Sequence, residues 1–272
     1  FVDNKVSPAL FSPAALKLTT FLPKPINDCG QVFYDRKTDS FEHIALGRVD
    51  YQWSNSHSIF GRYELAQYES DADNDPNNVL AYANGPINDT VHSVVLGDTY
   101  LLGSNTVNAL RLTYNSADIA KDYVPFFDHG TLGIKNVTLP LPGFGGYNVS
   151  SGFNLGVSGG RPSDVPTTAL QFVDDFSIVR GAHQIGVGAN FIRSTVDAIS
   201  YGSAAGNFAF TGTNTGLGMA DFMLGLRSTY ALSNILVAEL QQNMHFLYLQ
   251  DDWRINDRLT VNAGVRYEYA TP

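Results

Sequence analysis

The chain has 272 residues, a net charge of -9 and 44% hydrophobic residues, with only 16% charged. The acidic balance excludes a nucleic-acid partner, because nothing would neutralise phosphates. The apolar runs around Val94 and Leu236 stop far short of the roughly 20 residues that a spanning helix needs. Transmembrane strands remain open, since they need about 10 residues each and alternate polar with apolar. Aromatics make up 12%, Gly is frequent at 25, and no Lys follows Lys135. This profile lacks the charge and helix formers of a soluble α/β enzyme. Cys29 stands alone, which excludes an intrachain disulfide and a Cys-rich zinc site.

Residues 1–40 read as a loop segment with one short helix. Ser12 is placed to cap it, Pro13 opens its first turn, and Pro23 and Pro25 bar continuation. From His43 the hydrophobic period becomes two, and residues 41–272 read as an antiparallel, all-β sheet. In the first strand Ala45, Gly47, Val49, Tyr51 and Trp53 share one face, and Arg48, Asp50 and Gln52 the other. After Ser54–His57 comes a second strand, with Ile59, Gly61, Tyr63 and Leu65 opposing Arg62 and Glu64. Three more hairpins repeat the pattern, turning at Gly103–Thr106, Gly181–His183 and Asn256–Asp257. The last strand is the clearest: Leu259, Val261, Ala263, Val265, Tyr267 and Tyr269 on one face, Arg266 and Glu268 on the other.

Turns within hairpins are short, whereas the connections 69–89, 116–168 and 194–238 are long and rich in Gly, Asn, Asp and Pro. Short turns alternating with long loops are the pattern of an outer-membrane barrel, with turns periplasmic and loops external. A soluble sandwich seldom places a long loop after every second strand. Tyr51, Trp53, Tyr114, Trp253, Tyr267 and Tyr269 fall near strand ends, where interfacial girdles form.

Three runs then carry a resemblance: Gln171–Phe191, Gly218–Leu226 and Tyr248–Pro272. Together with Leu139–Val149, the first hairpin and the segment from Val6 to Pro25, they resemble TonB-dependent outer-membrane transporters of the Oar-like type. The resemblance implies a barrel of about 22 strands, of which about eight to ten are present. It implies outer-membrane lipid, a plug domain and the TonB complex as partners, and a small-molecule ligand such as a siderophore or oligosaccharide. Neither the plug nor a TonB-contacting segment is recognisable, both ends look cut, and such a piece is not expected to transport alone.

No enzyme chemistry or cofactor is expected. Asp71, Asp73 and Asp75 alternate as in the first half of a calcium loop. However, Pro76 replaces the required Gly and Tyr82 stands where the closing Glu belongs, so a solvated acidic loop is the plainer reading. The pairs Asp174-Asp175 and Asp251-Asp252 cannot share a substrate, because adjacent strand residues point to opposite faces. The same holds for His92-Ser93, and the six His show no ligand spacing. Glycosylation-like tripeptides at Asn88, Asn136 and Asn148 are matches by chance. Arg48, Asp50, Arg62, Glu64, Arg111, Arg266 and Glu268 form the polar set expected to face a water-filled lumen. Two other functions fit the residues: a small self-contained barrel acting as a passive pore or adhesin, and a secreted carbohydrate-binding β-sandwich.

Overall fold

A computed structural model describes residues 5–35, 37–73, 75, 77–82, 84–135, 138–143, 145–156 and 161–271. Asn74 and Pro76 of the acidic loop, and Asn136 and Val137 of one tripeptide, lie outside them. The chain opens with a short 3-10 turn, Pro8–Leu10, and a helix α1, Pro13–Thr19. Ser12 caps α1 by accepting from the Ala15 N–H at 3.5 Å, with Pro13 at its first position.

Two hairpins follow, β1 (Ser40–Ser54) with β2 (His57–Ser70) and β3 (Ile87–Leu101) with β4 (Thr106–Lys121). The next connection carries three short strands, β5 (Gly146–Val149), β6 (Asn154–Leu155) and β7 (Ser163–Asp164). β8 (Thr167–Arg180) and β9 (His183–Ser200) make the third hairpin. After it come β10 (Asn207–Phe210), a helix α2 (Gly218–Leu224) and β11 (Thr229–Ala231). The last hairpin is β12 (Leu236–Asn256) with β13 (Leu259–Ala270).

The eight long strands pair in chain order, each antiparallel to the next, from β1 to β13. This is an up-and-down meander in which every hairpin turn sits at one end and every long connection at the other. Among the described residues β1 and β13 are not paired with each other, so the wall is open rather than a closed eight-stranded barrel. The expected long loops are shorter than their sequence suggests. β4 runs on to Lys121, and β9 and β12 pair out to Ser200 and Leu236. At about 3.3 Å per residue these strands exceed what a bilayer needs, so they project beyond it on the loop side.

The register decides which residues share a face. Arg48 opposes Arg62, Arg62 opposes Val95, and Val95 opposes Thr113, beside Arg111 on the same face of β4. Across the rest, Arg111 opposes Val173, Val173 opposes Asn190, Asn190 opposes Phe246, and Phe246 opposes Glu268. All seven charged residues of the polar set therefore lie on one face of one continuous sheet. The opposite face carries Val49, Leu96, Leu112, Val187, Leu249 and Val265, all exposed.

Two glycines on the charged face make room for rings from the next strand. Gly97 sits directly across from Phe60, and a Cβ there would fall within the Phe60 ring. Gly188 stands in the same relation to Tyr248. A ring laid over a glycine covers bare backbone and fixes the register of both strands. Gly97→Ala is therefore expected to destabilise the wall by about 1–3 kcal/mol through overpacking. Combining it with Phe60→Ala should recover much of that loss; strict additivity in a denaturant-unfolding cycle would show that the two positions are not coupled.

Candidate functional site

The exposed apolar face is bounded by two rows of aromatic and histidine side chains. Near the turns lie Trp53, His57, Tyr100, His183 and Trp253. His57 packs against Tyr100 with centroids 5.1 Å apart, and His183 stacks on Trp253 at 5.4 Å. Toward the loops lie Tyr63, His92, Phe191, His245 and Tyr269. Tyr63 Oη is 2.8 Å from His92 Nδ1, and His245 packs against both Phe191 and Tyr269. His43 occupies the same row on β1. Tyr51 lies with the turn-side row, and Tyr114 and Tyr267 lie in the loop-side half. Five of the six His thus serve a belt rather than a metal or a catalytic group.

The rows run obliquely across the ladder. Perpendicular to the strands, His92 leads through Ser116, Thr168 and Thr195 to Gln241, yet the row continues at His245. Tyr100 likewise leads through Asn108, Phe176 and Val187 to Leu249, yet that row continues at Trp253. Both rows slip four residues over four strand-to-strand steps. One residue, about 3.3 Å, per strand spacing of about 4.8 Å sets the strands about 35° from the normal to the rows. That is the tilt of outer-membrane barrels. His92 to Tyr100, His183 to Phe191 and His245 to Trp253 each span eight residues, so the band between the rows is about 22 Å tall at this tilt. The hydrocarbon-facing band of such barrels is about 25 Å.

Polar groups on this face between the two rows have partners. His57 Nε2 lies 2.5 Å from Asp98, His183 Nδ1 lies 2.7 Å from Asp251, and Asn108 donates to Asp174 at 2.6 Å. Asp174 and Asp175 point to opposite faces: Asp175 instead accepts from Tyr248 Oη at 2.7 Å and lies 3.7 Å from Arg111.

On the charged face Arg48 pairs with Asp50 at 2.7 Å and lies flat over Phe60, 3.8 Å from its centroid. Arg266 pairs with Glu268 and reaches over Phe246. The seven residues are spread across one face of the wall and do not converge on one point. Asp71, Asp73 and Asp75 sit in the β2–β3 loop. The Asp71 N–H bonds Asp39, the Asp73 N–H bonds Asn84, and the Asp75 carboxylate accepts from the Asn77 N–H at 2.8 Å. Among the described residues no group of three His, Cys, Asp or Glu is arranged to hold a metal.

The loops build a second unit that sequence periodicity does not show. β11, β10, β5 and β6 form a four-stranded sheet, with β5 and β10 parallel. α1 and α2 pack on it through Leu18, Phe222, Val149 and Phe210, so the N-terminal segment caps the same end as the loops. α2 belongs there because Asp221, fully buried, accepts from the Asn214 N–H and amide and from Thr215 Oγ1. Tyr147, 2% exposed, and His129, 1% exposed, lie at the centre with Oη and Nδ1 2.6 Å apart. Burial lowers the His129 pKa to about 4, against the pull of nearby Asp128 and a backbone bond to Gly206, and burial raises the Tyr147 phenol. Asp128 is itself held low, chiefly by the Thr131 N–H, then by Gly143 and the Thr131 hydroxyl.

The depressed His129 pKa sets a pH dependence for this cap. The unfolded histidine, near 6.5, binds a proton before the folded one does, so stability is full above pH 6.5 and declines toward pH 4. The stabilisation from Asp128 is fully present throughout this window and is lost only below the ordinary carboxylate range. The protection factors of the amides within residues 201–211, corrected for intrinsic exchange, are expected to fall as pH drops from 6.5 to 4, and His129→Phe should flatten that slope. An unchanged slope in the variant would place the titrating group elsewhere.

A family model described as an outer membrane beta barrel domain matches residues 1–272. No curated protein matches the chain in sequence. Among solved structures the chain is similar to the outer membrane transporter YddB from Escherichia coli, with a TM-score of 0.56 and 11% identity. The match covers 91% of this chain and 29% of that one. It is also similar to a mutant of the ferric enterobactin receptor PfeA from Pseudomonas aeruginosa, with a TM-score of 0.50, 8% identity, and coverage of 92% and 31%. The chain thus spans about a third of the length of these proteins, and at such identities the likeness speaks for the fold. With the tilted belt, the meander and the family match together, the chain belongs to the outer membrane β-barrel domain family and lies in the outer membrane.

Proposed function

We propose that the chain is part of the barrel wall of a TonB-dependent receptor of the Oar-like type, importing a scarce solute with energy supplied through TonB. The observation that carries this is the open wall: eight strands with two unpaired edges, beside solved transporters about three times its length. In lipid each unpaired edge group costs several kcal/mol, so β1 and β13 call for further strands of a wider barrel. A wide barrel in turn needs a plug to avoid being an open hole. The seven charged residues then face the lumen and the plug, and the cap lies at the cell exterior, where solute is first met. Siderophore and oligosaccharide cargo both fit this reading.

Two measurements test it. Leu249, midway between the rows on the apolar face, should tolerate Arg poorly, at a cost of about 2–4 kcal/mol, while Gln250→Arg on the charged face costs less than about 1 kcal/mol. Equal costs, or recovery of the full-length protein in the aqueous rather than the detergent phase, would overturn the lipid-facing assignment. For energy coupling, strains lacking the full-length receptor or lacking TonB are expected to leave the same solute in the medium. A solute left behind after receptor loss alone would favour a passive pore.

A further inference from the structure

The cap encloses a cavity of about 390 Å3, the size of a small-molecule site. Its wall is a row of rings supplied by three adjacent strands. Phe208 on β10 stands directly across from Tyr147 on β5 and from Tyr230 on β11. Phe208 is inclined 17° to Tyr147 at 5.9 Å and 35° to Tyr230 at 4.5 Å, so the three rings lean on one another in a ladder. His129 packs edge-on against all three and, with its pKa depressed, adds no charge at neutral pH. Gly206, at φ +70°, keeps this centre open: a Cβ there would lie 2.6 Å from both His129 Nε2 and Tyr230 Oη.

Two cations line the same cavity. Lys135 and Arg227 are exposed residues on its rim, and neither has an ion pair among the described residues. In a chain of net charge -9, two bases left without acids at one aromatic cavity make a local positive field. The other walls, Leu18, Leu132 and Ile134, are aliphatic. A sugar placed here would bury hydroxyls against them without partners, which is costly.

We infer that this cavity binds a small, largely apolar organic anion, packed against the Phe208 and Tyr230 rings with its acid group held by Lys135 and Arg227. This names the class of solute for the receptor proposed above and rests on that reading. The rings supply dispersion and the rim supplies charge-assisted hydrogen bonds, so neither a neutral ring nor a small inorganic anion satisfies both.

The test uses detergent-solubilised full-length receptor in equilibrium dialysis, with detergent alone as the blank. The probe is naphthalene-1-sulfonate, and naphthalene-1-methanol is its uncharged counterpart. Saturable binding of the sulfonate is expected, about tenfold or more tighter than the alcohol, as two charge-assisted bonds would give. Lys135→Gln combined with Arg227→Gln, both at exposed positions that do not disturb the core, should weaken the sulfonate to the level of the alcohol and leave the alcohol unchanged. Unsaturable sulfonate binding, equal affinity for the two probes, or a double variant that binds like the wild type would each overturn the inference. Because binding is read without an energised membrane, its failure is separable from failure of the receptor reading. A receptor whose solute uptake needs TonB but which ignores the sulfonate sinks only the ligand class. Binding of the sulfonate with no TonB dependence sinks only the energy coupling.

Discussion

Within hydrocarbon a backbone amide or carbonyl has no water to bond, and the wall follows from that single constraint. Every long strand between β1 and β13 bonds a neighbour on both sides, and the two strands of each hairpin need only two to four residues to turn back. Once the backbone is satisfied by the ladder, side chains are free to serve two solvents. The period of two then delivers lipid-soluble groups to one face and charged groups to the other. The same constraint explains why each carboxylate between the two rows on the apolar face, Asp98, Asp174 and Asp251, has a histidine or asparagine against it.

This also explains which parts of the architecture were legible in the sequence. Between the two rows the environment differs on the two faces, and residues such as Leu247, Leu249 and Val265 against Tyr248, Gln250 and Arg266 record it one by one. The four hairpins, their turns and the shared face of the seven charged residues could therefore be read directly. Beyond the rows both faces meet water, and alternation loses its cause although the ladder continues. Ser116–Lys121, Ser194–Ser200 and Leu236–Gln241 are strands without a hydropathic signature, and they read as loop. The place of the histidines in the rows was not legible for a related reason. A search for ligand spacing along the chain does not see rows that cross the ladder obliquely, and only the register reveals that His43, His92 and His245 stand at one height.

The cap was legible only in fragments. Ser12 and Pro13 announced α1, but not what it packs against. β5 and β10 are four residues each and pair in parallel across sixty residues of chain, a distance at which no local pattern operates. The turns that bring them together use glycines at positive φ, Gly156, Gly206 and Gly225 among them, which in the sequence look like ordinary loop glycines. His129 had no signal at all. One histidine in a loop says nothing until Tyr147 and Phe208 close around it.

Wall and cap are nonetheless mechanically one object. β8 begins at Thr167, later than its neighbours, and the gap this leaves between β4 and β9 is filled by β7, whose Ser163 bonds across to Lys121 on one side and Ser200 on the other. The strand ends that project above the belt are thereby stitched into a continuous collar. On that collar the small sheet stands where the 122–166 and 201–235 connections meet, and α1 reaches it from the β1 side through the Ser12 N–H to the Met223 carbonyl at 2.8 Å. A site assembled from three loops would ordinarily pay in flexibility for its position at the surface. Here the loops leave from strands already held in register by the membrane, so the rings of Tyr147, Phe208 and Tyr230 inherit their alignment from ladder geometry rather than from loop packing alone.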